Sequence, residues 1–141
     1  MPTYHSSLSL GAMVLALLLA QPVSSATPPF AGGAAPSVRV GFSSFVGGAG
    51  RDTVTGVAFA PDGSVIVAGE TASTDLPVSN AAQATRRGPT DAFVMKVSAD
   101  GSTILHATYV GGSADDRASG VAVDPAGNIY VTGVKRSLAF P

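Results

Sequence analysis

The stretch that decides the fold is GVAVDPAGNIYVTG, from Gly120 to Gly133, together with an earlier copy, GVAFAPDGSVIVAG, from Gly56 to Gly69. Each copy has two short runs rich in Val, Ile or Ala, separated by a Pro, a Gly and small polar residues. This pattern is typical of a β-hairpin. Gly120 follows Gly56 at a distance of 64 positions, so the sequence predicts a repeat with a period of 64 residues.

The match between the copies extends beyond the hairpins to residues that turns and tight loops require. A second hairpin lies between them, with strands at Asp91 to Ser98 and Thr103 to Val110 and a turn at Asp100-Gly101. One repeat is therefore four antiparallel strands, and its copies span residues 39–77 and 103–141. The aligned positions are Gly47 with Gly111, Gly48 with Gly112, Asp52 with Asp116, Pro61 with Pro125, Gly63 with Gly127, and Ser73 with Ser137.

A tandem four-stranded unit cannot bury both of its faces alone, and stacking of the next unit supplies the missing core. The radial solution is a β-propeller, whose blades are four-stranded antiparallel sheets. A β-solenoid is the alternative, although its coils are usually shorter and its strands parallel. Because the turns favour antiparallel hairpins, we expect an all-β propeller fold over residues 38–141.

The number of strands raises a question about closure. Val38 to Val46 predicts one leading strand, four strands follow in a full unit, and two more follow that unit. These seven strands make about one and three-quarter blades, whereas a propeller closes with about four to eight. Either the chain is a truncated product of a longer gene, or several chains complete a ring. Further blades, in cis or in trans, are therefore the expected partners.

The N-terminus has the pattern of a targeting segment. Leu8 to Ala20 is an uncharged apolar run, too short to span a bilayer comfortably, and Ser24 and Ala26 fit a small-residue cleavage site. Residues 1–26 are predicted to be a secretory signal peptide, followed by a flexible lead-in rich in Pro, Gly and Ala at 27–37. The expected location is secreted, periplasmic or at the cell surface, with the signal peptide as the one membrane contact. An uncleaved anchor or a buried helix is the alternative, because no Lys or Arg precedes the run.

Composition excludes several classes of function. The net charge of −1 gives no electrostatic basis for binding nucleic acid or an anionic membrane. The chain has no Cys, which rules out disulfides and thiolate chemistry.

Tyr109 to Gly133, YVGGSADDRASGVAVDPAGNIYVTG, resembles the bacterial β-propeller repeat called SBBP. That pattern has a Tyr-x-Gly-Gly-x-x-x-Asp run, then Gly-Ile/Val-Ala-Val-Asp, a Gly-Asn turn and Tyr-Val-Thr-Gly. Ser73 to Pro77 and Asp91 to Val94 are similar to its other landmarks, so the resemblance extends from Val38 to Pro141. The resemblance implies a secreted or surface protein, often with many repeats, and no shared catalytic residues.

The chain departs from the SBBP pattern in both copies. Ser137 to Pro141 stands where Thr-Asp is expected. Ala60 and Ser64 stand where Asp and Asn are usual, and where the second copy has Asp124 and Asn128. We expect these changes to weaken turns rather than the fold.

Asp52, Asp115 and Asp116 lie just before the first predicted strand of each unit. A carboxylate in that position accepts hydrogen bonds from loop N–H groups. Calcium binding is the functional alternative, since two carboxylates with nearby carbonyls suit Ca²⁺, although EF-hand spacing is absent. No other cofactor or metal is expected.

No other group suggests catalysis. His106 is the one histidine after residue 26, and a lone His makes neither a triad nor a zinc site, so we interpret it as a packed strand residue. Arg86-Arg87 is interpreted as solvated, with contact to an acidic partner as the alternative. Gly47 to Gly50 lacks the features of a nucleotide loop.

The favoured hypothesis is a non-catalytic scaffold or binding module for proteins or glycans at the cell surface, as a fragment of a longer multi-repeat protein. One alternative is part of a propeller enzyme, a lyase or hydrolase, whose catalytic residues lie in other blades; this rests on fold-level analogy. A second alternative is a self-assembling ring or fibre subunit, built through open strand edges.

Overall fold

The computed structural model describes residues 12–18 and 39–141. The predicted cleavage site at Ala26 and the lead-in at 27–37 lie outside the described residues. The described part is all β, with no helix, and so contains no helix long and apolar enough to cross a membrane. Its strands are β1 (Ala12–Leu18), β2 (Arg39–Val46), β3 (Asp52–Phe59), β4 (Val65–Thr71), β5 (Asp91–Val97), β6 (Ile104–Val110), β7 (Arg117–Val123) and β8 (Ile129–Val134).

All strand pairs are antiparallel, as the hairpin turns predicted. A four-stranded sheet has the order β3-β4-β5-β6, so each strand lies beside its neighbour in sequence. The β7–β8 hairpin follows it and the β1–β2 pair precedes it. The seven strands that the sequence predicted after residue 37 are therefore all present, and the four-stranded unit is confirmed.

The first strand of each hairpin is longer than the sequence indicated. The loop was expected to run from Gly47 to Thr53, but β3 already begins at Asp52. A register shift between Val54 and Gly56 explains the error, because this bulge interrupts the apolar alternation from which a strand is recognised. The same shift recurs in β7, between Ala118 and Gly120.

β4 and β5 are buried on both faces of the four-stranded sheet. Val65 and Val67 lie in one apolar cluster with Phe93, whereas Ile66 lies in a second cluster with Ala68. The run Val65 to Val67 is apolar at every position because each face has its own cover, as predicted. Each buried aliphatic or aromatic side chain contributes roughly 1.5–3 kcal/mol to folding.

The two covers come from neighbouring units. β2 packs on the first cluster through Val46 and the partly buried Phe42. β7 packs on the second cluster through Val121 and Val123, and it contacts both β3 and β4. A hydrogen bond from Thr55 Oγ1 to the carbonyl oxygen of Ala118, 2.8 Å long, also joins β3 to β7. Neighbouring units therefore stack face to face.

β1 lies within residues 1–26, the predicted signal peptide, where no strand was expected. It pairs with β2 in the register in which β5 pairs with β6. An uncharged seven-residue segment can take this place because the edge of β2 offers unpaired backbone groups. The pairs equivalent at the 64-residue period are Ala12↔Val46 with Ala92↔Val110, and Met13↔Phe45 with Phe93↔Tyr109; the shift at Ala16/Leu17 matches that at Lys96/Val97.

Replacing Phe93 tests this packing. Phe93 is fully buried between β2 and the four-stranded sheet, so Phe93→Ala leaves a cavity and lowers the free energy of unfolding by about 3–5 kcal/mol. The measurement is urea unfolding followed by far-UV circular dichroism. Leu105→Ala is the control, because Leu105 on β6 is 40% exposed and its loss should change the free energy by less than about 1 kcal/mol. Equal losses for the two variants would contradict the packing.

Candidate functional site

The loop between β2 and β3 is anchored by Asp52, the first residue of β3. Its Oδ2 atom accepts hydrogen bonds from the N–H of Gly48, at 2.9 Å, and from the Oγ of Ser73, at 2.8 Å. Its Oδ1 atom accepts a further bond from the hydroxyl of Thr71. Ser73 Oγ in turn accepts the N–H of Gly50 at 2.8 Å. One buried carboxylate thus fastens the loop before β3 to the segment after β4.

Asp116 repeats this arrangement 64 residues later. It is 1% exposed, and its oxygens accept the N–H of Gly112 and the N–H of Arg136, both at 2.8 Å. The N–H of Ser137, at 3.2 Å, and its hydroxyl also donate to Asp116. The N–H of Ala114 donates to Ser137 Oγ at 2.9 Å. The carboxylates that the sequence placed before each unit therefore accept loop N–H groups.

The two anchors differ where the second copy departs from the SBBP pattern. Asp75 Oδ1 accepts the N–H of Ala49 at 2.8 Å and adds a third tie between loop and linker. The equivalent position holds Ala139, which has no side-chain acceptor. Lys135 likewise replaces Thr71, and the backbone N–H of Arg136 takes over as donor. The second anchor therefore relies more on backbone donors than the first.

Asp91, which the sequence analysis did not single out as an anchor, holds a third loop. It is fully buried at the start of β5 and accepts the N–H groups of Arg87 and Gly88, each at 2.9 Å. The Nε2 of Gln83 also donates to it at 2.9 Å. Its position as the first residue of a strand, like that of Asp52, is the signal that could have identified it.

Tyr109 connects β6 to the linker that follows β4. Its hydroxyl donates to the carbonyl oxygen of Ser73 and accepts the N–H of Leu76, both at 3.0 Å. Burial raises the pKa of Tyr109, although the bond from Leu76 opposes this shift. The phenol therefore stays neutral and keeps its donor role.

The predicted hairpin turns form where the sequence placed them. Gly63, Gly101 and Gly127 all have positive φ, of 80°, 74° and 86°, which glycine adopts without strain. Each donates its N–H to the carbonyl three residues earlier, at 2.8–2.9 Å. Pro61 and Pro125 precede the first and third of these glycines by two positions, as expected for such turns.

The turn aspartates differ between the two copies. Asp124 accepts the N–H groups of Ala126 and Asn128, at 2.9 and 2.8 Å, together with the side chains of Asn128 and Tyr130. In the first copy Ala60 stands in its place, and Asp62 instead accepts the N–H of Ser64 at 2.9 Å. The predicted loss at Ala60 is thus partly compensated from within the same turn.

The repeat glycines allow close backbone contact. A Cβ on Gly69 would lie 1.9 Å from the carbonyl oxygen of Thr53, and one on Gly133 would lie 2.1 Å from that of Arg117. Both glycines therefore sit opposite the bulge in the first strand of their hairpin, where no side chain fits. The other predicted glycines of the loops and first strands are Gly47, Gly48, Gly56, Gly111, Gly112 and Gly120.

Hydrogen bonds keep the aspartates ionised. Burial would raise the pKa of Asp116, but the Ser137 hydroxyl and the N–H groups of Gly112 and Arg136 lower it to about 2. In the exposed turn at Asp100, the hydroxyl of Ser98 and the donors of Ser102 lower its pKa to about 2. These carboxylates are acceptors at neutral pH and have no proton to supply to a reaction.

The candidate calcium ligands do not converge. Asp115 Oδ1 accepts the hydroxyl of Thr90 at 3.0 Å, whereas the oxygens of Asp116 and Asp52 face the donors described above. N–H and O–H groups therefore occupy the directions in which a cation would bind. Within residues 12–18 and 39–141, no three His, Cys, Asp or Glu side chains are grouped to hold a metal ion.

The remaining candidates are also spread over the sheet. His106 is half-buried on β6, paired with Lys96. Arg86 donates to the carbonyl oxygen of Pro89, and the Arg87 side chain is exposed on the same loop. These three residues are not part of a shared site, and what the geometry assembles is a set of loop anchors.

Comparison with known families agrees with this picture. The family described as SBBP, Beta-propeller repeat, has a sequence model that matches residues 107–134, from the middle of β6 to the end of β8. The chain therefore carries an SBBP-type repeat there, which confirms the resemblance predicted from the sequence. None of the curated proteins compared with the chain matches it.

Removing an anchor should destabilise the protein. Asp116→Ala leaves four donors around a buried position without their acceptor, and we expect the free energy of unfolding to fall by about 3 kcal/mol. Urea unfolding at pH 7 measures this loss. Asp115→Ala is the matched control, because that neighbouring carboxylate is half-buried and has a single bond to Thr90, so its loss should stay below about 1 kcal/mol. A larger loss for Asp115 would contradict the anchor role of Asp116.

The anchor also predicts a pH dependence. The pKa of Asp116 is about 2 in the folded chain and 3.8 in its unperturbed state, so its stabilisation is present above about pH 4. The stabilisation is lost as the pH falls toward 2. The stability difference between the wild type and Asp116→Asn should therefore shrink between pH 4 and pH 2. Leu105→Ala, which changes no ionisable group, should keep a constant difference, and a constant difference for Asp116→Asn would refute the prediction.

Proposed function

We propose that the protein is a secreted or cell-surface β-propeller repeat module that serves as a scaffold or binds proteins or glycans, without catalysing a reaction. The observation that carries the proposal is the recurrence of the Asp52 anchor at Asp116, within a chain that carries an SBBP-type repeat. The buried carboxylates of the described residues are engaged in holding loops, which is the chemistry of a scaffold.

The distribution of charge supports a neutral partner. The chain has 8 Lys and Arg against 9 Asp and Glu, so no strong field attracts a polyanion. Among the exposed large apolar residues are Tyr130, at 57%, and Phe59, at 50%, which lie on sheet faces rather than on loops. Aromatic side chains of this kind contact both proteins and sugar rings.

Further repeats of the same type are the partners that the sheet faces favour. β3–β6 has cover on both faces, whereas the outward face of β7–β8 carries exposed Tyr130 and Thr132. A repeat on that side would bury this face as β7 buries the face of β3–β4. Such repeats could be supplied in cis, by a longer gene product, or in trans, by another chain.

Export is the part of the proposal that can be tested directly. Leu17→Arg interrupts the uncharged run from Leu8 to Ala20 and should keep the protein in the cytoplasm, because the apolar core of a signal peptide tolerates charge poorly. The measurement is cell fractionation followed by intact mass, which should show the wild type beginning at Thr27.

The matched control is Leu138→Arg, which adds the same charge at a residue that is 99% exposed and lies outside the N-terminal segment. This variant should be exported like the wild type. Retention of the wild-type protein in the cytoplasm with residues 1–26 intact would refute export.

A further inference from the structure

The contact between the four-stranded sheet and the β7–β8 hairpin has two defined faces. A receiving face on β3–β4 consists of Ala58, Ile66 and Ala68, and an inserting face on β7 consists of Val121 and Val123. Ile66 and Ala68 are fully buried by this contact. The pair of faces is the template for what other repeats would do.

The receiving face recurs, uncovered, on β7–β8. The residues 64 positions after Ala58, Ile66 and Ala68 form an outer receiving face, and all of them are exposed. Its largest member, Tyr130, is 57% exposed. The members of the outer receiving face are Ala122, Tyr130 and Thr132.

The inserting face recurs, uncovered, on β3. Val57 and Phe59 lie 64 positions before Val121 and Val123 and form an outer inserting face. They are 44% and 50% exposed, although β2 covers the rest of this side of the sheet through Val46. Two apolar faces that fit each other within one chain are therefore both open, at opposite sides of the four-stranded sheet.

We propose that a second copy of this chain docks head-to-tail, with the outer inserting face of one copy packed on the outer receiving face of the next. The packing repeats the contact between β3–β4 and β7 inside a single chain. Both outer faces are uncharged, so burying them leaves no unpaired ion. Because the two faces differ, the contact is heterologous and can repeat into a ring or a filament.

The strand edges identify the occupant as a second copy. β8 is the equivalent of β4, and β1 takes beside β2 the place of β5 beside β6. Since β4 pairs with β5 in the four-stranded sheet, the free edge of β8 fits the free edge of β1 in the next copy. Head-to-tail docking would then complete a sheet with the order β7-β8-β1-β2, two strands from each chain.

The inference rests on the repeat stacking in the proposed function, but its test measures mass rather than location. Export can therefore fail while docking holds, and the reverse. The two outer faces lie after residue 26, so the face contact itself does not require β1.

Light scattering coupled to size exclusion on the full chain tests the proposal. We expect a mass that is an integer multiple of 13.9 kDa and rises with concentration until a ring closes or a filament grows. Val57→Glu and Tyr130→Glu each place a carboxylate in the contact and should weaken association on the order of 100-fold or more. Leu105→Glu, on an exposed β6 residue away from both faces, should associate like the wild type.

Mixing the two variants separates specific docking from unspecific aggregation. Val57→Glu keeps its receiving face and Tyr130→Glu keeps its inserting face, so an equal mixture should form a pair of twice 13.9 kDa that grows no further. Circular dichroism confirms that each variant is folded. A wild type that stays at 13.9 kDa, or a mixture that gives no pair, would overturn the proposal.

Discussion

A buried carboxylate that takes hydrogen bonds from two separate segments is the constraint on which this structure depends. An ionised group away from water is costly unless its oxygens are bonded. At Asp52 the donors come from the loop before β3 and from the segment after β4, so neither can be displaced alone. At Asp116 the same logic joins the loop after β6 to the segment after β8.

The anchors matter because the strands they position must stack on both faces. β4 and β5 are buried throughout, which requires a unit before and a unit after the four-stranded sheet. The loops that the anchors hold are the connections from one unit to the next, and they set where β3 and β7 begin. Polar bonding at the loops and apolar packing between sheets are thus parts of one arrangement.

Much of the fold could be predicted because the repeat makes each observation twice. The turns at Gly63 and Gly127 were recognisable from Pro and Gly spacing, and the alternation around Val65 to Val67 indicated cover on both faces. The starts of β3 and β7 were missed because a bulge disrupts the alternation. Asp91 was missed because its donors come from an irregular loop, and β1 was missed because an apolar run reads equally well as a leader.

Each anchor lies within a single repeat period. The donors to Asp52 fall between Gly48 and Ser73, a span much shorter than 64 residues. A gene duplication of one period therefore copies the carboxylate together with its own donors, and a deletion removes both. An array of such units can lengthen or shorten during evolution without stranding a buried charge, which favours a family with variable numbers of repeats.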